Sequence, residues 1–237
     1  MKKIVAIAAA GALAFTLAGC SSNTVESRPS EEPASNLVQK EEAPKDLNVV
    51  ESGWSEQADG MISYAAIVEN PNAAWMANYA NVTVTGKDAN GAILFSNKDT
   101  LPYVFPGGKQ AICSGANVDA ASLSDIEVTA SVADKNWTQE TVQAADADTV
   151  LQVTNLNEIA GEYGDYSFTG ELLSNMDDPM NAVHISIVIR DESGAIVRGC
   201  DTYVNDVAPG STTPFQAYAF GDMPEHASYE AYAVYAY

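Results

Sequence analysis

Apolar and polar residues alternate along most of this chain. The clearest run is Ala182 to Arg190, where Val183, Ile185, Ile187 and Ile189 fall on one side and His184, Ser186 and Arg190 on the other. A period of two marks a β-strand with one buried face. Shorter runs of the same kind predict strands over Leu47–Trp54, Met61–Glu69, Tyr79–Lys87, Ala92–Ser96, Lys109–Ala116 and Ile126–Val132. A second series covers Val150–Thr154, Tyr166–Leu173, Ala182–Arg190, Ala195–Thr202, Thr212–Phe220 and Tyr229–Tyr237. Between the strands lie turn-forming stretches such as Asn70-Pro71-Asn72, Asp88-Ala89-Asn90-Gly91 and Pro106-Gly107-Gly108, whose residues supply tight bends and positive φ. No stretch of the first series places apolar residues at helical spacing over a useful length.

The two series are copies. Asp88 and Asp191, Gly91 and Gly194, Pro106 and Pro209, and Glu127 and Glu230 are each 103 residues apart, and Asn70 pairs with Asn175 at 105. One register over that span, broken by a two-residue change in a loop, indicates a duplicated domain. Six short strands in about 90 residues suit two antiparallel sheets packed face to face. The expected fold is therefore all-β, two tandem antiparallel β-sandwiches spanning residues 46–137 and 149–237, joined by a polar connector at 138–148.

Ahead of the strands the pattern is different. Lys2-Lys3 precede an apolar run from Ile4 to Leu17 that is short for a membrane span and shaped like the core of a secretory signal. It ends in Leu17-Ala18-Gly19-Cys20, which resembles the lipobox of bacterial lipoproteins. That resemblance implies removal of residues 1–19 and a diacylglycerol on Cys20, which would tether the protein to the membrane on its extracytoplasmic face. Residues 20–45 are rich in Ser, Glu, Pro and Lys and poor in apolar side chains. They read as a disordered tether that holds the first domain about 25 to 30 Å from the anchor. Acidic residues outnumber basic ones by 32 to 11, and removing Lys2 and Lys3 makes the balance more acidic still. Such a charge repels nucleic acid and anionic membrane surfaces.

Both copies resemble FxLYD-type domains, an immunoglobulin-like family of extracytoplasmic bacterial proteins. The namesake motif maps to Ile187-Val188-Ile189-Arg190-Asp191, and more weakly to Val84-Thr85-Gly86-Lys87-Asp88, where Gly86 replaces a core side chain. The Asn after the second strand and the Pro-Gly turns also match. The resemblance implies an immunoglobulin-like fold and an exterior location, with no shared catalytic residues.

Little in the chain points to chemistry. Its histidines are His184, on the outward face of a strand, and His226, in a loop, and neither adjoins a nucleophile motif. Asp88-Ala89-Asn90-Gly91 lacks the later ligands of a calcium loop. Asp177-Asp178 with Asp165, or Asp146 with Asp148, offer carboxylates for a weak calcium site at the domain junction, or simply solvated loops. No Cys/His pairs have zinc spacing, and no cofactor motif is present. Cys113 and Cys200 lie one in each copy. A bridge between them would clamp the domains, worth about 4 to 5 kcal/mol in the chain-entropy model, provided that their Cα atoms approach within about 7 Å. Trp54, Trp75 and Trp137 belong to the first copy. Trp75, in an expected loop, is a candidate contact for an envelope protein or glycan. The expected function is a non-enzymatic, lipid-anchored envelope protein that binds or spaces. The alternative is an enzyme or calcium-dependent binding protein with an acidic site between the domains.

Overall fold

The computed structural model describes residues 43–57, 60–142, 149–162 and 165–236. The expected signal segment, Cys20, most of the tether, Asp146 and Asp148 lie outside them. The described chain is all β apart from two single-turn 3-10 segments. In the first copy, β1 (Asn48–Gln57), β2 (Met61–Glu69) and β5 (Lys109–Asn117) form one antiparallel sheet in the order β1-β2-β5. The other sheet runs β4 (Ile93–Val104), β3 (Trp75–Lys87), β6 (Asp125–Ser131), with β7 (Trp137–Gln139) pairing with β3 as well. The second copy repeats this plan: β8 (Leu151–Ala160), β9 (Tyr166–Ser174) and β12 (Thr212–Ala219) in one sheet, and β11 (Ile196–Val207), β10 (Met180–Arg190) and β13 (Ser228–Tyr235) in the other.

Each pair of sheets encloses its own core. Ile62, Tyr64, Val82, Val84, Leu101 and Ile112 anchor the first, and Phe168, Leu172, Ile185, Ile187, Ile189 and Phe215 the second. Each core also fills a gap left by a glycine. The ring of Phe95 lies where a side chain on Gly86 would sit, 2.1 Å from that glycine's ideal Cβ, and Phe215 does the same over Gly170 at 2.7 Å. Phe95 thus supplies the apolar volume that Gly86 lacks in the first copy of the motif.

The register corrects one pairing read from the sequence. Ala65 opposes Cys113 as Thr169 opposes Gln216, so the second strands are offset by 104 rather than 105. Ser174 is therefore the counterpart of Asn70, and their N–H groups donate to the equivalent carbonyls of Ser211 and Gly108. Asn175 instead matches Asn72: its Nδ2 donates to Thr149 O as that of Asn72 donates to Lys45 O.

Several strands outrun their apolar pattern. β3 begins at Trp75, before the expected Tyr79, because Trp75, Met76 and Ala77 pair with β7. That pairing places Trp75 in a strand and carries the first sandwich through Glu140, whose N–H donates to Ala74 O. β4 and β11 continue well past Ser96 and Thr202 to Val104 and Val207. They are edge strands, whose polar residues can face solvent and need no strict alternation.

The sandwiches are stacked. Residues 42–237 cluster as one compact unit, and β2 is buried from Ile62 through Val68 on both of its faces. Its inward residues enter the first core. Its outward ones, Ala65 and Ile67, join Ala111 and Cys113 of β5 and pack on Val188 and Ile196 of the second sandwich, with Tyr232 alongside. The outer face of sheet β1-β2-β5 thus lies on the outer face of sheet β11-β10-β13, giving four sheet layers. Contact is close enough to demand glycine at two points. A Cβ on Gly53 would fall 1.8 Å from the carbonyl oxygen of Ile196, and one on Gly199 would fall 2.5 Å from the Sγ of Cys113. Ser63 Oγ donates to Gly199 O at 2.7 Å across the seam. At its edge the Arg190 guanidinium holds Glu230 of its own sandwich and Glu51 of the other.

Candidate functional site

Two hollows open between the sandwiches near the point where the chain passes from one to the other. One is a cleft of about 430 Å³. Met76 at the start of β3 and Tyr103 and Phe105 at the end of β4 form one wall. Met176 and Met180, flanking the β9–β10 turn, and Tyr235 at the end of β13 form the other. Three of the six methionines converge there. Unbranched and polarisable, methionine adapts to varied apolar partners. Tyr79, beside this wall, has φ +50° and packs its ring on Tyr103 at 6.3 Å. It lies opposite Pro102, which has no N–H to offer the ladder.

The polar groups of the cleft are few. Lys109 faces Glu69 at 3.8 Å. Glu140 accepts the N–H groups of Thr141 and Val142 at 2.8 and 3.1 Å. Gln110 has a side-chain oxygen that is buried without a hydrogen-bond partner. Gln110, Lys109 and Leu151 also border a second hollow of about 580 Å³, walled by Gln152 to Thr154 and Glu230 to Ala233. The methionine cleft, mostly apolar with one cation, one carboxylate and one amide oxygen, is suited to holding a ligand by contact. Among its described lining residues there is no serine, cysteine or histidine.

The residues singled out in the sequence fall elsewhere. Trp75 is half-buried in β3 in register with Gln139, and its neighbour Met76, not Trp75, lines the cleft. Trp54 and Trp137 pack against the first core. His184 is less solvated than its outward position suggests: Nε2 lies 2.9 Å from Asp201 and the ring stacks on Tyr203 at 4.5 Å. His226 sits 2.9 Å from Glu158 through Nε2 and 2.9 Å from Pro224 O through Nδ1. Burial pulls its pKa down, but the bonds to Glu158 and Pro224 and the charge of Glu158 outweigh this and leave it raised. Both neighbouring atoms are acceptors, so the protonated ring satisfies both.

The carboxylates do not assemble. Asp165 precedes β9 and Asp177-Asp178 follow it, so the nine residues of that strand, at about 3.3 Å each, separate them. Among the described residues no three His, Cys, Asp or Glu side chains are grouped to hold a metal. Asp88 and Asp191 instead close hairpin turns, each accepting two backbone N–H groups, from Asn90 and Ala92 and from Ser193 and Ala195.

The bridge between Cys113 and Cys200 does not form; both thiols are free and buried. They lie on opposite sides of sheet β11-β10-β13. Cys200 faces the second core and Cys113 fills the seam in front of Gly199, its Sγ donating to Ile187 O at 3.3 Å. Burial pushes the Cys113 thiol well up and that of Cys200 up to about 12, so neither is a thiolate at neutral pH.

The methionine cleft was not legible in the sequence. Its lining comes from six strands and three loops, and only the clustering of Met176 and Met180 around one turn is visible locally. No family model matches the chain, and no curated protein matches it. Among solved structures, one of the Amycolatopsis orientalis exo-chitosanase CsxA aligns at 16% identity and a TM-score of 0.20, over 66% of this chain and 22% of that one. A structure reporting inhibition of the exo-β-D-glucosaminidase CsxA aligns at 17% and 0.21 with the same coverage. The chain spans about a fifth of those enzymes, and likeness at this level carries no argument about function.

Proposed function

We propose that this protein is a non-enzymatic, lipid-anchored component of the bacterial cell envelope that binds a partner through the methionine and aromatic cleft between its two immunoglobulin-like sandwiches. The cleft carries the reading: three methionines and three aromatic rings around about 430 Å³ accommodate an apolar segment of a partner, with Lys109 and Gln110 to orient it. Stacking supports binding over spacing. A spacer gains reach by joining domains end to end, whereas these sandwiches lie face to face with a shared buried layer.

The test uses the full chain with Met76→Arg and Tyr103→Ala, both at half-buried positions on the cleft wall. Uptake of an apolar reporter dye, and retention of specific proteins from the native envelope, are expected to fall together in both variants while far-UV circular dichroism is unchanged. Equal dye uptake and an identical set of retained proteins in wild type and variants would remove the cleft from the function.

A further inference from the structure

The duplication supplies an internal control for one exposed face. In the first copy the outer face of sheet β1-β2-β5 is covered by the second sandwich, and its central residues are small or apolar: Ser63, Ala65 and Ile67 on β2, Ala111, Cys113 and Gly115 on β5. The register places Ser167, Thr169 and Glu171 of β9 and Pro214, Gln216 and Tyr218 of β12 at the same points of the second copy. That face is uncovered and has the opposite character. Where the first copy has the row Ser55, Ser63, Gly115, the second has Ile159, Ser167, Tyr218. Tyr218 and Ile159 are each about half exposed, and Phe220, just beyond β12, is 68% exposed.

This ledge is held in place. The rings of Tyr218 and Phe220 lie 5.9 Å apart and within 21° of parallel. Tyr218 donates its hydroxyl to Gln216 Oε1 at 3.0 Å, and Gln216 Nε2 donates to Ser167 Oγ at 3.0 Å. Behind the ledge stands Arg198, fully buried, with no carboxylate among the described residues bonded to its guanidinium. It donates instead to the carbonyls of Phe220 and Asp222, at 2.6 and 2.5 Å. Burying a charge is costly, and here the return is a fixed backbone at the residue that displays the most exposed ring. Beside the rings lie hydroxyl and amide groups from Thr169, Gln216 and Asn157.

We infer that the outer face of sheet β12-β9-β8 is a second binding surface, and that its ligand is an uncharged polysaccharide of the envelope. Near-parallel, preorganised rings offer apolar platforms for the C–H faces of sugar rings, and the adjoining row can exchange hydrogen bonds with hydroxyls. The face lacks the small residues and glycines with which this chain docks one sheet on another, so a flat protein sheet does not fit it. Charge selects among glycans: a chain of net charge −21, with Glu171 on the face itself, repels polyanions.

The experiment is affinity electrophoresis of the full chain through gels containing a neutral panel (mannan, β-glucan, N-acetylglucosamine oligomers) or an anionic one (alginate, polygalacturonate). At least one neutral glycan is expected to retard the protein and the anionic ones are not. Tyr218→Ala or Phe220→Ala is expected to weaken retardation about tenfold, while the cleft variant Met76→Arg retains it, which separates this surface from the proposed cleft. Both rings are exposed, so an unchanged melting temperature shows that the variants fold. Failure of the whole neutral panel, or retardation indifferent to loss of both rings, overturns the inference. So does a photo-crosslinker at position 216 that captures an envelope protein and no glycan.

Discussion

Replacing Gly199 with alanine tests the seam that makes two sandwiches one body. The added methyl would stand 2.5 Å from Cys113 Sγ and 2.7 Å from Ala65 Cβ, both across the interface. Ordinary contact begins near 3.4 Å, so the sheets must part by most of an ångström over a layer that includes Ile67, Val188 and Ile196. Overpacking of this kind costs about 1 to 3 kcal/mol. Urea unfolding can locate the loss, because Trp54, Trp75 and Trp137 all belong to the first sandwich whereas circular dichroism reports both. In the wild-type protein the two signals are expected to change together. In Gly199→Ala they are expected to separate, with the midpoint falling by an amount equivalent to about 1 to 3 kcal/mol. Cys113→Ala removes the nearest atom, so in that background the glycine substitution is expected to cost measurably less. Gly53→Ala, which drives a methyl into the backbone carbonyl of Ile196, has no side chain to rotate aside and is expected to cost more. Coincident transitions in Gly199→Ala, within about 0.5 kcal/mol of wild type, would refute the close-contact account.

Three further outcomes follow from the same structure. The raised pKa of His226 means that its protonated form stabilises the fold. That contribution is complete below the unfolded value of about 6.5 and is lost as pH rises through the folded one, so melting temperature should fall over that window in wild type and not in His226→Gln. Thiol titration of the Cys20→Ser chain is expected to find no fast-reacting group in native buffer and two after denaturation, since Cys113 and Cys200 are free and buried; none after denaturation would mean a bond. If Cys20 carries the lipid, the same Cys20→Ser chain should move from the membrane to the soluble fraction and lose acyl label, and unchanged fractionation would exclude the anchor.

What could be read in the sequence was what depends on neighbours along the chain. Alternation in Val183 to Ile189 and turn residues such as Asp191 and Gly194 marked the strands, and the repeat marked the two parallel series of them. Registers that depend on a partner strand were misread: Asn70 and Asn175 look equivalent by residue type, yet hydrogen bonding pairs Asn70 with Ser174. Surfaces were harder still. Trp75 was expected in a loop and open to a partner, but β7 pairs with its strand and leaves it half-buried, while Tyr218 on the edge strand β12 and Phe220 just beyond it stand exposed in a stretch that reads as ordinary alternation. One clue was present. Ala65, Cys113 and Gly199 are small residues at outward positions, which a solvated face does not need and a covered face does.

The stack also bears on whether either outer sheet could take up another copy of the same unit. The contact is heterologous, one kind of sheet against the other, and such a contact between copies of one unit leaves an unused face of each kind at the ends and tends to propagate. Substitutions at equivalent positions close both ends. Gly199 of the buried face corresponds to Ser96 on the free sheet β4-β3-β6, Val188 to Thr85 and Tyr232 to Thr129. Gly53 corresponds to Asn157 on the free sheet β12-β9-β8, Ala65 to Thr169 and Cys113 to Gln216. All but the Tyr232–Thr129 exchange put a larger or more polar side chain where the seam holds a small or apolar one. The Arg190–Glu51 clamp becomes Lys87 and Thr154, which removes the acid. Either end alone would be enough to block addition, and the two free faces both lack the side chains with which their twins form the seam. On the second sandwich the free face carries Tyr218, with Phe220 just beyond it, rings that solubility alone would not place there.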